Sequence, residues 1–252
     1  LCYQLPALAG EGLTIVVSPL IALIDNQVAQ LRTVGAAAGA IHSNRSREDN
    51  VSDWRRAASG EIRLLYMSPE RLMTPRMTEA LSSLRVARFV IDEAHCISQW
   101  GHDFRPEYRR LREMKERFSG ASLHAFTATA TERVREDIVS QLGLRDPVVL
   151  VDQFDRPNLV YRVLHRTKLA EQAAEGLDRH RGEGAIVYCI SRKDTEGLAE
   201  QLRGRGIKAE AYHAGLEPDE RRHVQDEFAS ENLDVVVATV AFGMGIDRSN
   251  VR

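Results

Sequence analysis

Short, almost purely apolar runs recur along this chain, each followed by a stretch long enough for a helix. The run TIVV at 14–17 and the run VVV at 235–237 leave no polar side to face water. A strand that is apolar on both faces must be covered on both faces. That requirement points to a parallel sheet with helices above and below it. Strands are therefore expected at 13–18, 38–41, 62–67, 89–91, 123–127 and 148–151. The segments between them have helical length and period. In one of these, Tyr108, Leu111, Met114 and Phe118 fall on a single face, with Arg109, Arg110 and Lys115 largely off it, as for a helix resting on a core.

After residue 151 the sequence DQFDRPNL is polar and carries a proline, which reads as a linker. The alternation then restarts, with a helix from 168, a strand at 185–190, a helix at 193–205, a strand at 208–212, a helix at 218–229 and a strand at 234–238. The expected organisation is two α/β domains, 1–151 and 152–252, without a sequence repeat between them. Two such domains side by side create a cleft in which a ligand can be shared. A chain of 252 residues, 43% hydrophobic and 28% charged, has ordinary globular composition. A formal charge of −2 excludes a bulk polycation, so nucleic-acid binding has to come from local patches. Cys2, Cys96 and Cys189 lie too far apart for a CxxC pair or a disulfide framework, which fits a reducing cytosol. Cys96 stands beside His95 but lacks a second ligand pair, so it reads as a buried thiol and no zinc site is expected. Pro6 and Glu11 interrupt the apolar first 24 residues, and no basic segment precedes them, so neither a signal peptide nor a membrane span is expected. The chain opens on Leu1 and stops at Asn-Val-Arg, and it reads as a piece of a longer one.

In parallel sheets, ligands bind beyond the carboxyl ends of the strands. Polar clusters stand at those ends: VVSPL, YMSPERL, VIDEAH and FTATAT in the first half, and YCISR, YHAGL and ATVAFGMGID in the second. Seven clusters at one edge are hard to explain as turns alone. In DEAH, Asp92 suits a hydrated Mg²⁺, which takes one or two carboxylates plus waters and phosphate oxygens. Glu93 can orient or deprotonate an attacking water. Taken by themselves, the four residues are equally well read as an acidic turn capping the next helix.

The stretch after DEAH changes that balance. CISQWGHDFRPEY resembles the aromatic-rich loop of the RecQ family of DNA helicases, and SPLIALIDNQV, SPERL, TATAT, FDRPN, YCISR, YHAGL and VATVAFGMGID match the same family in order. The likeness runs over nearly the whole chain. It implies two RecA-like domains, each a parallel sheet flanked by helices, forming an ATP- and Mg²⁺-dependent motor that moves 3′-to-5′ along single-stranded DNA and unwinds duplex DNA in recombination and repair. In the resemblance, Asp92 and Glu93 match the metal-binding and water-activating acids, and His95 the residue linking them to neighbouring motifs. Gln99 and His102 match coupling positions of the loop, and Thr127 and Thr129 the coupling segment between the two ligands. Ser18, Ser68, Arg71, Trp100, Phe104, Arg105, Ser191, Arg192, His213 and Thr239 match positions facing the DNA or supporting those that do. Gly243, Gly245 and Asp247 match the segment near the nucleotide. Elementary chemistry agrees with the assignment for the loop. Aromatic faces stack on any base, and an arginine pairs with phosphate or stacks on a ring. The rival reading plugs Trp100 or Phe104 into the core.

The family's phosphate-binding loop, ending Gly-Lys-Ser, is expected immediately before Leu1, and its final motif with an arginine finger after Arg252. On that reading the chain by itself hydrolyses no ATP at a useful rate. Ile190 stands where the family usually has Asn, a minor departure. A location in the cytoplasm is implied, with association to the nucleoid if the source is bacterial. Two other functions compete: a nucleotide-independent DNA-binding or regulatory module derived from a helicase, and an RNA helicase or duplex translocase of the same superfamily. The aromatic loop argues against the last.

Overall fold

The chain enters through a short helix, α1 (Gln4–Ala9), and then β1 (Leu13–Val17), whose five residues are all buried. The computed structural model describes residues 1–101, 103–152, 157–243 and 248–251. There follow α2 (Ile21–Thr33), β2 (Ala38–Ile41), α3 (Arg47–Ala58), β3 (Leu64–Met67), α4 (Pro69–Leu72), α5 (Pro75–Ser82) and β4 (Val86–Ile91). A 3₁₀ turn at Ala94–Ile97 leads to α6 (Pro106–Arg109), α7 (Arg112–Arg117), β5 (Ser122–Ala125) and α8 (Glu132–Leu142). Further on come α9 (Leu169–Asp178), β6 (Ala185–Tyr188), α10 (Arg192–Arg203), β7 (Ala209–Tyr212), α11 (Pro218–Ala229) and β8 (Val235–Ala238). The chain divides into two compact units, Leu1–Val151 and Asp152–Arg252.

In the first unit the strands pair in the order β2-β3-β1-β4-β5, all parallel. Successive side chains of a strand point to opposite faces, and both faces here are apolar. Ile15 and Val17 of β1, Leu65 and Met67 of β3, and Phe89 and Ile91 of β4 enter one core. Val16, Leu64, Tyr66 and Val90 enter the other. The second unit repeats the principle on three parallel strands, β6-β8-β7. Val235 and Val237 pack on one side, Val236 and Ala238 on the other. Two-sided burial, read from TIVV and VVV, is therefore what the sheets display.

Two expectations need correction. Residues 148–151 are not a strand. Val148 and Leu150 are 86% and 89% exposed, and among the described residues no backbone hydrogen bond holds the run. An apolar run becomes a strand only where a sheet edge offers its N–H and C=O groups partners. The segment carrying Tyr108, Leu111, Met114 and Phe118 is two short helices, broken at Arg110–Leu111, and not one. Its apolar face survives the break: Tyr108, Leu111 and Met114 are fully buried, and Phe118 packs on Phe89 with ring centroids 5.1 Å apart. Among the described residues no helix is long and apolar enough to cross a membrane.

Phe89 is the largest side chain that β4 commits to the core below the acid pair. Phe89→Ala should lower the unfolding free energy by about 3–5 kcal/mol, read by urea denaturation. A loss under about 1 kcal/mol would contradict this packing.

Candidate active site

The acid pair is set by backbone hydrogen bonds that run one step past the end of β4. Asp92 N–H donates to the Val17 carbonyl at 2.9 Å, Phe126 N–H to Ile91 at 2.8 Å and Ala94 N–H to Phe126 at 2.9 Å. The end of β4 is thus held from β1 on one side and from the chain beyond β5 on the other. Glu93 then turns the chain with φ 48° and ψ 46°, the left-handed region that a residue with a Cβ seldom occupies. Such a conformation costs roughly 1–3 kcal/mol and persists where the surroundings enforce it. Here it starts the 3₁₀ turn and throws the two carboxylates to different sides.

Asp92 is enclosed by neutral groups. Its Oδ1 accepts from the Glu93 N–H at 3.1 Å, and its Oδ2 lies 3.4 Å from the Tyr3 hydroxyl and 3.5 Å from Gln27 Nε2. Tyr3 donates more firmly to Gln27 Oε1 at 2.9 Å. Tyr108, fully buried, donates to the Asp92 carbonyl at 3.2 Å. No ion pair to Asp92 exists among the described residues. Burial, and then the charge of Glu93, push its carboxyl above the usual range. Burial, and then the Asp92 charge, likewise push the Tyr3 phenol up. A half-buried carboxylate without a basic partner is suited to a cation. Among the described residues no cluster of three or more His, Cys, Asp or Glu side chains stands ready to hold a metal. That is compatible with Mg²⁺, which keeps several waters and takes oxygens from a phosphate.

Glu93 faces His95. Nδ1 of the buried imidazole lies 3.2 Å from Glu93 Oε2 and 2.9 Å from Thr127 Oγ1. The carboxylate and the hydroxyl both lie within reach of that nitrogen as acceptors. Thr127 in turn sits within 3.3 Å of both the N–H and the carbonyl of Thr129. The DEAH turn and the TATAT turn are therefore joined through one histidine.

The loop that follows is pinned at its ends. Arg105 N–H donates to the Cys96 carbonyl at 2.8 Å, and Trp100 N–H to Ser98 Oγ at 3.1 Å. Gln99 is exposed, and Trp100 is 59% exposed, so the reading that buries Trp100 is set aside. Phe104 is half-buried beneath the Arg109 guanidinium, 4.9 Å from its ring centroid. All three guanidinium nitrogens of Arg105 are engaged inside the protein, two with Asp103 and one with the Pro19 carbonyl. Arg105 thus staples the loop to the segment after β1 in this structure. Cys96 is buried, and burial pushes its thiol up to about 12, so it stays protonated and inert. His102 lies outside the described residues.

Ser18 and Ser68 follow the paired positions Val17 and Met67 and so are neighbours at the carboxyl edge. Ser18 is buried, and among the described residues its hydroxyl has no partner; Ser68 caps α4 by accepting from the Arg71 N–H, and Arg71 is exposed. In the second unit, Ser191 caps α10 ahead of the exposed Arg192. The buried His213 holds Glu196 through Nε2 at 2.9 Å and accepts the Gly215 N–H on Nδ1. Thr239 N–H donates to the Tyr212 carbonyl. Gly243 has φ 133°, a backbone conformation that residues with a Cβ rarely adopt, and a Cβ there would press on the Tyr188 hydroxyl. Gly245 and Asp247 lie outside the described residues. Within each unit those expected positions that are described gather at one sheet edge. Tyr3 and Gln27, which frame Asp92, were missed because neither has a local signature; the fragments LCYQL and IDNQV that hold them were the only signal.

A parallel sheet carrying DEAH at its carboxyl edge defines a class, and the chain belongs to it: residues 1–138 match the DEAD/DEAH box helicase family, and residues 165–252 match the helicase conserved C-terminal domain. Within that class the chain is similar to curated RecQ-type DNA helicases. It is 47% identical over 252 residues to the ATP-dependent DNA helicase RecQ of Pasteurella multocida, covering 100% of this chain and 40% of that protein. To the ATP-dependent DNA helicase Q1 of Pongo abelii it is 40% identical over 266 residues, covering 100% of this chain and 41% of that protein. The chain thus spans about two fifths of the length of these curated relatives. Its fold is shared with the Mycobacterium smegmatis helicase Lhr bound to ssDNA and AMP-PNP, with a TM-score of 0.68, 21% identity, and coverage of 97% of this chain and 36% of that one. The helicase MrfA bound to DNA gives a TM-score of 0.69 at 18% identity, covering 98% of this chain and 37% of that one.

The raised pKa of Asp92 has a consequence for stability. The native state holds the Asp92 proton more tightly than the unfolded chain does. Its contribution is therefore present at acid pH and lost as pH rises through the raised value. At pH 7 the ionised group costs stability. Asp92→Asn should raise the thermal midpoint at neutral pH, by about 2–4 °C per kcal/mol recovered, with the gain shrinking in acid. A lower midpoint at pH 7 would contradict this.

Proposed function

We propose that this chain is the central motor segment of an ATP-dependent DNA helicase that moves 3′-to-5′ along single-stranded DNA and unwinds duplex DNA in recombination and repair. The observation that carries the reading is the continuity from Asp92 and Glu93 through His95 to Thr127, with the exposed Trp100 a few residues along the same loop. One end of that path suits nucleotide chemistry and the other suits a base.

Asp92 would hold Mg²⁺, which neutralises charge on the phosphate oxygens during transfer. Glu93 orients the attacking water and accepts its proton, and His95 fixes the direction of the Glu93 carboxylate. Thr127 and Thr129 carry the state of that edge to the neighbouring loop, with Gln99 and His102 on the loop's side. Trp100 and Phe104 offer aromatic surface to bases without reading sequence. Arg105 orders the loop while paired with Asp103 and turns to a phosphate when DNA arrives. Ser18, Ser68 and Arg71 meet the DNA backbone from the first unit, and Ser191, Arg192, His213 and Thr239 meet it from the second. Gly243, Gly245 and Asp247 line the nucleotide. The units 1–151 and 152–252 act as the two RecA-like domains of the motor, in the cytoplasm.

In the full-length protein, Glu93→Gln should cut ATP hydrolysis by roughly 10²–10⁴-fold while single-stranded DNA binding, read by fluorescence anisotropy, is retained. Unchanged hydrolysis would refute the role of Glu93. Trp100→Ala should lower the DNA-stimulated rate. Strand separation assayed in parallel on DNA and RNA duplexes decides the substrate.

A further inference from the structure

Arg133 belongs to none of the motifs considered so far. It is exposed, in the first turn of α8, directly after the TATAT turn. Its guanidinium carbon stands 3.3 Å from the centroid of the Trp100 ring. A guanidinium comes that close only by lying flat over the ring. Among the described residues Arg133 has no carboxylate partner, and its position in α8 does not call for a cation. Helix N-termini disfavour positive charge. The Trp100 face is what offsets that cost.

The exposure of Trp100 decides how the contact works. With one face of its ring under Arg133, Trp100 as a whole residue is still 59% exposed. The covered face cannot take a base, and the other can. The backbone of Trp100 is held separately by Ser98 Oγ, so backbone and ring are fixed by different partners. Besides the packing of the 3₁₀ turn against α8, the loop reaches the TATAT–α8 segment through the part-buried His95–Thr127 pair and through the exposed Trp100–Arg133 pair.

We propose that Arg133 is a positioning residue that clamps one face of Trp100, presents the opposite face to a DNA base, and carries the load of that stacking into α8. The proposal rests on the DNA-motor reading above. A cation–π contact is electrostatic and dispersive at once, so a flat guanidinium serves it better than the compact ammonium of lysine.

The test uses the full-length protein, an oligothymidylate strand and ATP hydrolysis. Trp54 and Trp100 are the two tryptophans of this segment. Acrylamide quenching is therefore compared against matched Trp100→Phe controls to isolate the Trp100 signal. Arg133→Ala should increase quenching of Trp100. It should also raise the oligothymidylate concentration for half-maximal stimulation by about twofold to fivefold, as expected for loss of an exposed cation–π contact. Arg133→Lys should restore little of either. The double variant Trp100→Ala/Arg133→Ala should respond to DNA no worse than Trp100→Ala alone, because Arg133 acts through the ring. Additive losses, or full rescue by lysine, would mean that Arg133 meets phosphate directly, and would overturn the proposal. A silent Arg133→Ala beside a damaging Trp100→Ala would overturn it while leaving the motor reading intact. A silent Trp100→Ala would sink the DNA-coupling role of the loop, and this proposal with it.

Discussion

The clamp on the end of β4 is the constraint from which the rest of the site follows. Three backbone hydrogen bonds, from Asp92, Phe126 and Ala94, carry the sheet ladder past Ile91. They fix where the strand stops and leave the next residue no extended route onward. Glu93 accepts the left-handed conformation because its neighbours on both sides are already tied. That single turn separates the environments of two adjacent acids. Asp92 is withdrawn among Tyr3, Gln27 and its own backbone, while Glu93 is turned to His95. Different surroundings let two carboxylates of the same chemistry serve different tasks.

The loop beyond the turn is the opposite kind of structure. Its ends are pinned, and its aromatic side chains stay near the surface. A single exposed aromatic is ordinary at a protein surface; what marks this one is the arginine on its face. Here Trp100 is flanked by Arg133 on one face, and Phe104 lies beneath Arg109. Arginine on aromatic rings steadies the loop without burying it. The staple of Arg105 to Asp103 and Pro19 links it to the edge where Ser18 and Ser68 lie.

Much of this was legible in the sequence because it rests on local pattern. Two-sided apolar runs such as TIVV can be satisfied only inside a covered parallel sheet, and DEAH at the end of such a run falls at the carboxyl edge by construction. The run at 148–151 looks the same and is not a strand, since a strand also needs an edge to pair with, and sequence does not show edges. Tyr108, Leu111 and Met114 were recognisable as one buried face, but the break at Arg110 was not, because spacing by three residues suits two short helices as well as one. The partners of Asp92 were hidden for a different reason. Tyr3 lies 89 positions from Asp92 and Gln27 lies 65, so nothing local joins them. The pairing of Trp100 with Arg133 was hidden in the same way.

The central claim is that nucleotide chemistry and DNA contact communicate through the contact of His95 with Thr127. The most direct measurement is the ratio of ATP hydrolysis with and without single-stranded DNA in full-length protein carrying Thr127→Val, which keeps the shape of the side chain and removes its hydroxyl. The account predicts a ratio lower by about tenfold, as expected for loss of a part-buried hydrogen bond to a histidine that also faces a carboxylate, with DNA still bound. An unchanged ratio would show that the two sites communicate by another path.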